Sequence, residues 1–183
     1  NLYYTEPCAR LAELLCEKTN GMARKVFFAN SGAEANECAI KAARKYGAKA
    51  KGEDYYTVLT LENSFHGRTL TTLAATGQEH YHELYRPLTP GFVHAPANNF
   101  EAVKRTALEN KVCAVLIECI QGEGGVIALE QDFVKKLRAF TEENGILLMI
   151  DEVQTGNGRT GSLYAYMNYG IVPDVVTTAK GLS

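Results

Sequence analysis

Asp151 closes the apolar run Ile146-Leu147-Leu148-Met149-Ile150, and Lys180 comes just after Pro173-Asp174-Val175-Val176-Thr177-Thr178. A carboxylate at the end of a buried strand needs a cation or hydrogen-bond donors, or it gives up its charge. A protonated pyridine nitrogen is one such cation, and the ion pair makes the ring a better electron sink. Lys180 lies between Ala179 and Gly181, which leave room for a bulky adduct. Desolvation there would favour the neutral, nucleophilic amine. Together the two residues supply what pyridoxal phosphate requires: an acid for the ring nitrogen, and an amine that carries the aldehyde as a Schiff base. Metal ligation is the rival role for Asp151, but no histidine or second aspartate stands near it in sequence. A lone lysine after a strand is more often a surface residue.

Other candidates sit at similar breaks in the pattern. Phe28-Ala29-Asn30-Ser31-Gly32-Ala33-Glu34 reads as a strand, a turn of small residues and a helix start. Ser31 and Gly32 would leave N–H groups unpaired at the positive helix end, which suits a phosphate. The plainer account is a capping box, with Ser31 as N-cap and Glu34 three residues on. No Walker or dinucleotide fingerprint is present. In Ser64-Phe65-His66-Gly67-Arg68, Phe65 could stack on a flat ring and Arg68 could fork onto a carboxylate. Core packing and a structural ion pair are the equally weighted alternatives. His66 suits positioning better than general-base chemistry. Glu118 and Glu123 flank a turn that continues into Gly124-Gly125. Paired acids suggest glycoside hydrolysis, but that leaves Asp151, Lys180 and the phosphate cradle without a role. Glu123 could instead balance a substrate-binding arginine. Gln154 could bond a ring hydroxyl, and Arg159 in its Gly-rich loop is structural.

The elements that would hold these residues alternate. Strands are expected at Lys25–Ala29, Tyr56–Leu61, Phe92–His94, Val112–Glu118, Ile146–Asp151 and Asp174–Thr178. Helices are expected at Glu6–Thr19, Ala33–Lys49, Phe100–Asn110 and Asp132–Glu143, the last with Phe133, Leu137 and Phe140 on one face. Asn20-Gly21 and Asn144-Gly145 read as helix stops, with Gly supplying the positive φ. Continuous apolar strands are buried on both faces, so the expected fold is α/β: a three-layer domain with a mostly parallel sheet. Ligands bind at the carboxyl ends of such strands, and five of these loops would meet on one rim.

The 183 residues suit one domain, and their formal charge of −2 with no basic block argues against nucleic acid and acidic membranes. No apolar run approaches the length of a membrane span. Five cysteines without C-x-x-C spacing fit a reducing cytoplasm, and Cys113 and Cys119 belong in or near the core. The histidines and cysteines do not cluster at zinc-ligand spacing, so no metal is expected.

Several motifs in order and spacing give these residues a family. NLYYTEP (1–7), FFANSGAEANE (27–37), SFHGRTL (64–70), IECIQGEGGV (117–126), LLMIDEVQTGNGRTG (147–161) and PDVVTTAKGLS (173–183) resemble the class III pyridoxal-phosphate aminotransferases. The resemblance implies the large domain of the fold type I PLP-dependent transferases, spanning residues 1–183 as one PLP-binding unit. The family's N-terminal segment, a threonine lent by a second subunit, and its C-terminal small domain would lie outside it. By the same resemblance Lys180 is the Schiff-base lysine and proton shuttle, Asp151 pairs the pyridinium nitrogen and Gln154 the ring hydroxyl. Ser31, Gly32 and Ala33 hold the phosphate, Phe65 stacks on the ring, Arg68 binds the substrate carboxylate, and Glu123 partners a gating arginine. Cys119 stands where the family usually has proline.

The resemblance favours the branch that moves the δ-amino group of N2-acetylornithine to 2-oxoglutarate in arginine biosynthesis. It implies a cytoplasmic homodimer. Ornithine, succinylornithine and 4-aminobutyrate remain open as donors, as does a catalytically inert cofactor-binding fragment.

Overall fold

The computed structural model of the chain describes residues 3–19 and 22–182. Five of the apolar runs form one sheet in which every pairing is parallel: β1 (Thr57–Leu61), β2 (Phe92–Ala95), β3 (Val112–Ile117), β6 (Leu147–Asp151) and β7 (Val175–Thr177). Their order is β2-β1-β3-β6-β7. A small antiparallel hairpin, β4 (Ile120–Gln121) with β5 (Ile127–Ala128), stands beside it. The helices are α1 (Glu6–Lys18), α2 (Gly32–Ala50), α3 (Leu70–Ala75), α4 (Phe100–Glu109) and α5 (Gln131–Glu143).

The three layers follow from what each strand buries. On one face, Leu59, Leu61, Val115, Ile117, Leu148 and Ile150 pack against Val103 and Ala107 of α4 and Phe133, Leu137 and Phe140 of α5. On the other, Val58, Ala114, Leu116 and Met149 pack against Ala39, Ile40 and Ala43 of α2. Each fully buried Leu or Ile contributes about 1.5–3 kcal/mol, so two such faces hold the sheet rigid beneath the strand ends. The α5 stop is as expected, with Asn144 as C-cap and Gly145 at φ 58°. Cys113 and Cys119 are fully buried, and burial pushes the Cys113 thiol up to about 11. The expected stop at Asn20-Gly21 and the opening Asn1-Leu2 lie outside the described residues. Among those described, no helix is long and apolar enough to cross a membrane.

The expected strand at Lys25–Ala29 does not form. A strand needs a neighbour's N–H and C=O groups, and apolar sequence alone supplies neither. β7 ends the sheet, pairing with β6 alone, and this segment faces it across a cavity, with Phe27 70% exposed. Conversely, α3 forms where no element was expected. It is only six residues long, so its periodicity is weak, but Thr69 and Thr72 close a capping box at its start.

Candidate active site

The carboxyl ends of β1, β3, β6 and β7 and the start of α2 open onto one cavity of about 840 Å³. Ser31, Gly32, Ala33, Phe65, Arg68, Glu123, Asp151, Gln154 and Lys180 all line it. The candidate positions therefore meet at one cavity, although Ser31, Gly32 and Ala33 reach it from the unpaired Lys25–Ala29 segment and not from a strand end.

Asp151 is 3% exposed, and its carboxylate is surrounded by donors. Oδ2 accepts from Asn36 Nδ2 at 2.8 Å and lies 2.9 Å from His66 Nδ1, while Oδ1 accepts from the Val153 N–H at 3.0 Å. Both oxygens thus act as acceptors. The fold brings a histidine to Asp151 that sequence distance hid, since His66 and Asp151 are 85 positions apart. With Nδ1 directed at the acid, His66 Nε2 is left buried without a hydrogen-bond partner.

At the start of α2, Ser31 Oγ accepts from the Glu34 N–H at 3.2 Å, as an N-cap should. The expected capping box is not completed. The Glu34 carboxylate reaches past Ser31 to Asn30, taking its backbone N–H at 2.7 Å and its Nδ2 at 2.8 Å. Two donors on one residue hold the acid better than the single one at Ser31. The first-turn N–H groups of Gly32 and Ala33 keep no intrahelical acceptor and remain available to an anion. Gly67 lets the loop after β1 lie against this helix start. Its φ is 131°, and a Cβ there would come within 2.8 Å of Ala33 Cβ.

Phe65 is held at both ends. Its N–H donates to Glu118 Oε2 at 3.0 Å, and its ring meets Tyr81 edge-on at 5.6 Å. The Arg68 guanidinium stands 5.2 Å from the same ring and makes no ion pair among the described residues, so a structural ion pair is not its role there. Glu123 is exposed on the β4–β5 turn, and Arg159 is exposed in its loop.

Lys180 adopts φ 52° and contacts Gln154 Oε1 through Nζ. The desolvation expected from its small neighbours is absent, because Lys180 is exposed. Ala179 and Gly181 make room for it but offer nothing to cover it. Behind it, Asn157 Nδ2 donates to Ala179 O at 2.9 Å and to Thr178 Oγ1 at 3.2 Å, fixing the approach to the lysine. Asn36 and Asn157 are the residues that sequence reasoning missed. Neither carries a local signal, because their partners are remote in the chain.

Glu118 is buried beside Phe65, and its carboxyl is pushed up to about 7, chiefly by burial and partly by Asp151. Between its ordinary 4.5 and 7 the folded protein holds a proton that the unfolded chain has released. This contribution favours folding in full below pH 4.5 and is lost as pH rises through 7. Glu118→Gln keeps an acceptor for the Phe65 amide and removes the titration. Urea unfolding at pH 5 and pH 7.5 is therefore expected to show the wild type losing up to about 3 kcal/mol more than the variant. Parallel losses in both proteins would contradict the assignment.

The residues fit pyridoxal phosphate: a helix start with free N–H groups, an aromatic wall, a buried acid that accepts at both oxygens, and a primary amine at the rim. The chain is also similar to known proteins. The Aminotransferase class-III family pattern matches residues 1–183. An acetylornithine aminotransferase of Haemophilus ducreyi is 52% identical over 183 residues, which are 100% of this chain and 46% of that protein. The chain thus spans about half the length of this curated relative. A Bacillus anthracis aminotransferase structure superposes with a TM-score of 0.91 at 35% identity, over 97% of this chain and 44% of the other. The taurine:2-oxoglutarate aminotransferase of Bifidobacterium kashiwanohense, solved in complex with PLP and glutamate, gives 0.87 at 31% identity, over 98% and 44%. By sequence and by fold, the chain belongs to the class-III aminotransferase family.

Proposed function

We propose that this chain is the single PLP-binding large domain of a transaminase that moves the δ-amino group of N2-acetylornithine to 2-oxoglutarate. The observation that carries the proposal is the pairing of a buried, three-donor Asp151 with Lys180 on one cavity wall. Bound there, pyridoxal phosphate supplies an aldehyde that captures amines and a ring that takes up an electron pair. Ser31, Gly32 and Ala33 anchor the phosphate at the positive end of α2. Phe65 stacks on one ring face, and Gln154 bonds the ring hydroxyl. Asp151 keeps the ring nitrogen protonated, and Lys180 holds and moves the proton at the reacting carbon. Arg68, without an ion-pair partner among the described residues, forks onto the donor's carboxylate at the end remote from the reacting amine. Glu123 lies on the same wall and balances a substrate-binding guanidinium.

The proposal includes a cytoplasmic homodimer acting in arginine biosynthesis. The exposed Phe27, Leu70, Leu84 and Val126 support a covering surface. The test is turnover of N2-acetylornithine, N2-succinylornithine, ornithine and 4-aminobutyrate side by side, each with 2-oxoglutarate. The highest kcat/KM is expected for acetylornithine, and a lowest value for it would sink the substrate assignment.

A further inference from the structure

Asn36 lies on the second turn of α2, is 1% exposed, and has so far entered only as one of the donors to Asp151. Its carboxamide is nonetheless almost fully committed. Nδ2 donates to Asp151 Oδ2 at 2.8 Å and to the His66 carbonyl at 2.9 Å, while Oδ1 accepts from Thr177 Oγ1 at 2.7 Å. These partners also fix which way the amide points. Reversed, its oxygen would face a carboxylate and a carbonyl, two acceptors.

The three partners belong to three elements of the site: the loop that carries Phe65, the end of β6, and the end of β7. Asp151 and Thr177 are also register partners in the β6–β7 ladder. Asn36 therefore bridges the two strands at their shared last rung, just before the chain turns towards Lys180. It does so from the helix whose first turn forms the phosphate cradle.

We propose that Asn36 is a positioning residue that holds Asp151 and the strand end bearing Lys180 in one frame. The acid for the ring nitrogen and the amine then stand at a set separation before the cofactor enters. Such preorganisation shows in cofactor affinity and in turnover, not only in stability. The inference rests on the assignment of the cavity to pyridoxal phosphate.

Two substitutions test it. Asn36→Leu removes all three hydrogen bonds. Thr177→Val is close in shape and cuts only the arm that leads to Lys180, so it remains informative if Asn36→Leu folds poorly. Titrating each protein with pyridoxal phosphate and following the visible band gives the dissociation constant. Thermal unfolding of the cofactor-free proteins gives stability, and kinetics at saturating cofactor separate kcat from KM. For Thr177→Val the cofactor-free midpoint is expected within a few degrees of wild type, with about tenfold weaker binding. At saturation its kcat falls about tenfold, while the donor KM stays within about twofold because Arg68 is untouched. Asn36→Leu is expected to move further in the same direction, about 10–100-fold in affinity. Wild-type affinity and kcat in Thr177→Val, whatever its thermal midpoint, would make Asn36 a structural tie only and overturn the proposal. A wild-type protein that forms no band and no borohydride-fixed adduct on Lys180 overturns the cofactor assignment, and this inference with it.

Discussion

Lys180→Ala folds normally, binds pyridoxal phosphate without covalent attachment, and loses transaminase turnover by a factor on the order of 10⁴ or more. The folding half of this expectation comes from exposure. Lys180 stands in solvent, and among the described residues its side chain contacts Gln154, itself exposed. Surface substitutions of this kind stay within about 0.5 kcal/mol. The chemical half comes from the cavity wall, where Lys25 is the other lysine. Lys25 sits on the unpaired segment opposite β7, with nothing to hold its backbone in a ladder. Lys180 follows a strand that is paired on one side and clamped by Asn157 just before it. Borohydride reduction in the presence of pyridoxal phosphate, followed by peptide mapping, separates the two. The adduct is expected on Lys180, lost in Lys180→Ala and kept in Lys25→Ala. An adduct that survives in Lys180→Ala would remove the lysine from the mechanism.

Asp151→Asn is expected to lower turnover by about 10²–10³ and to destabilise the cofactor-free protein by about 1–3 kcal/mol. Its size matches the acid, but its hydrogen-bond sense does not. Both Asp151 oxygens face donors, and an asparagine must turn its NH₂ towards one side. Turned one way it meets the Val153 N–H. Turned the other it meets both Asn36 and His66. At least one buried donor is left unpaired in either orientation, and the charge for the ring nitrogen is gone. Urea unfolding without cofactor and kcat with it report the two effects separately. Undiminished kcat would mean that Asp151 serves the fold alone.

Much of this architecture was legible because the strands announce themselves. Val112–Ile117 and Leu147–Ile150 are apolar without alternation, and only a sheet covered on both faces accepts such segments. Phe65, Glu118, Asp151 and Lys180 then fell at or just after strand ends by rule, while Ser31 and Gly32 reach the site from a segment that pairs with no strand. Lys25–Ala29 reads just as well and forms no strand, since pairing belongs to the neighbour as much as to the segment. The Asn36 network was invisible for a related reason. Its link to Asp151 spans 115 positions, and its link to Thr177 spans 141. A buried asparagine on a helix gives no periodic signal of what it will meet. His66 was visible as a positioning residue in the loop after β1, but not its partner. Glu34 was recognised as a cap, yet its reach was set by two donors on Asn30 rather than by spacing.

The ladder that pairs Asp151 with Thr177 also bears on which changes of length the chain tolerates. One residue added or deleted within β7 would slide Lys180 by about 3.3 Å and turn Thr177 to the opposite face of the sheet. The same change in the exposed stretch around Gly158 and Arg159 would be absorbed by the loop. Divergent descendants of this sequence should therefore gain and lose residues around Gly158 and Arg159, but keep the count from Thr177 to Lys180 unchanged.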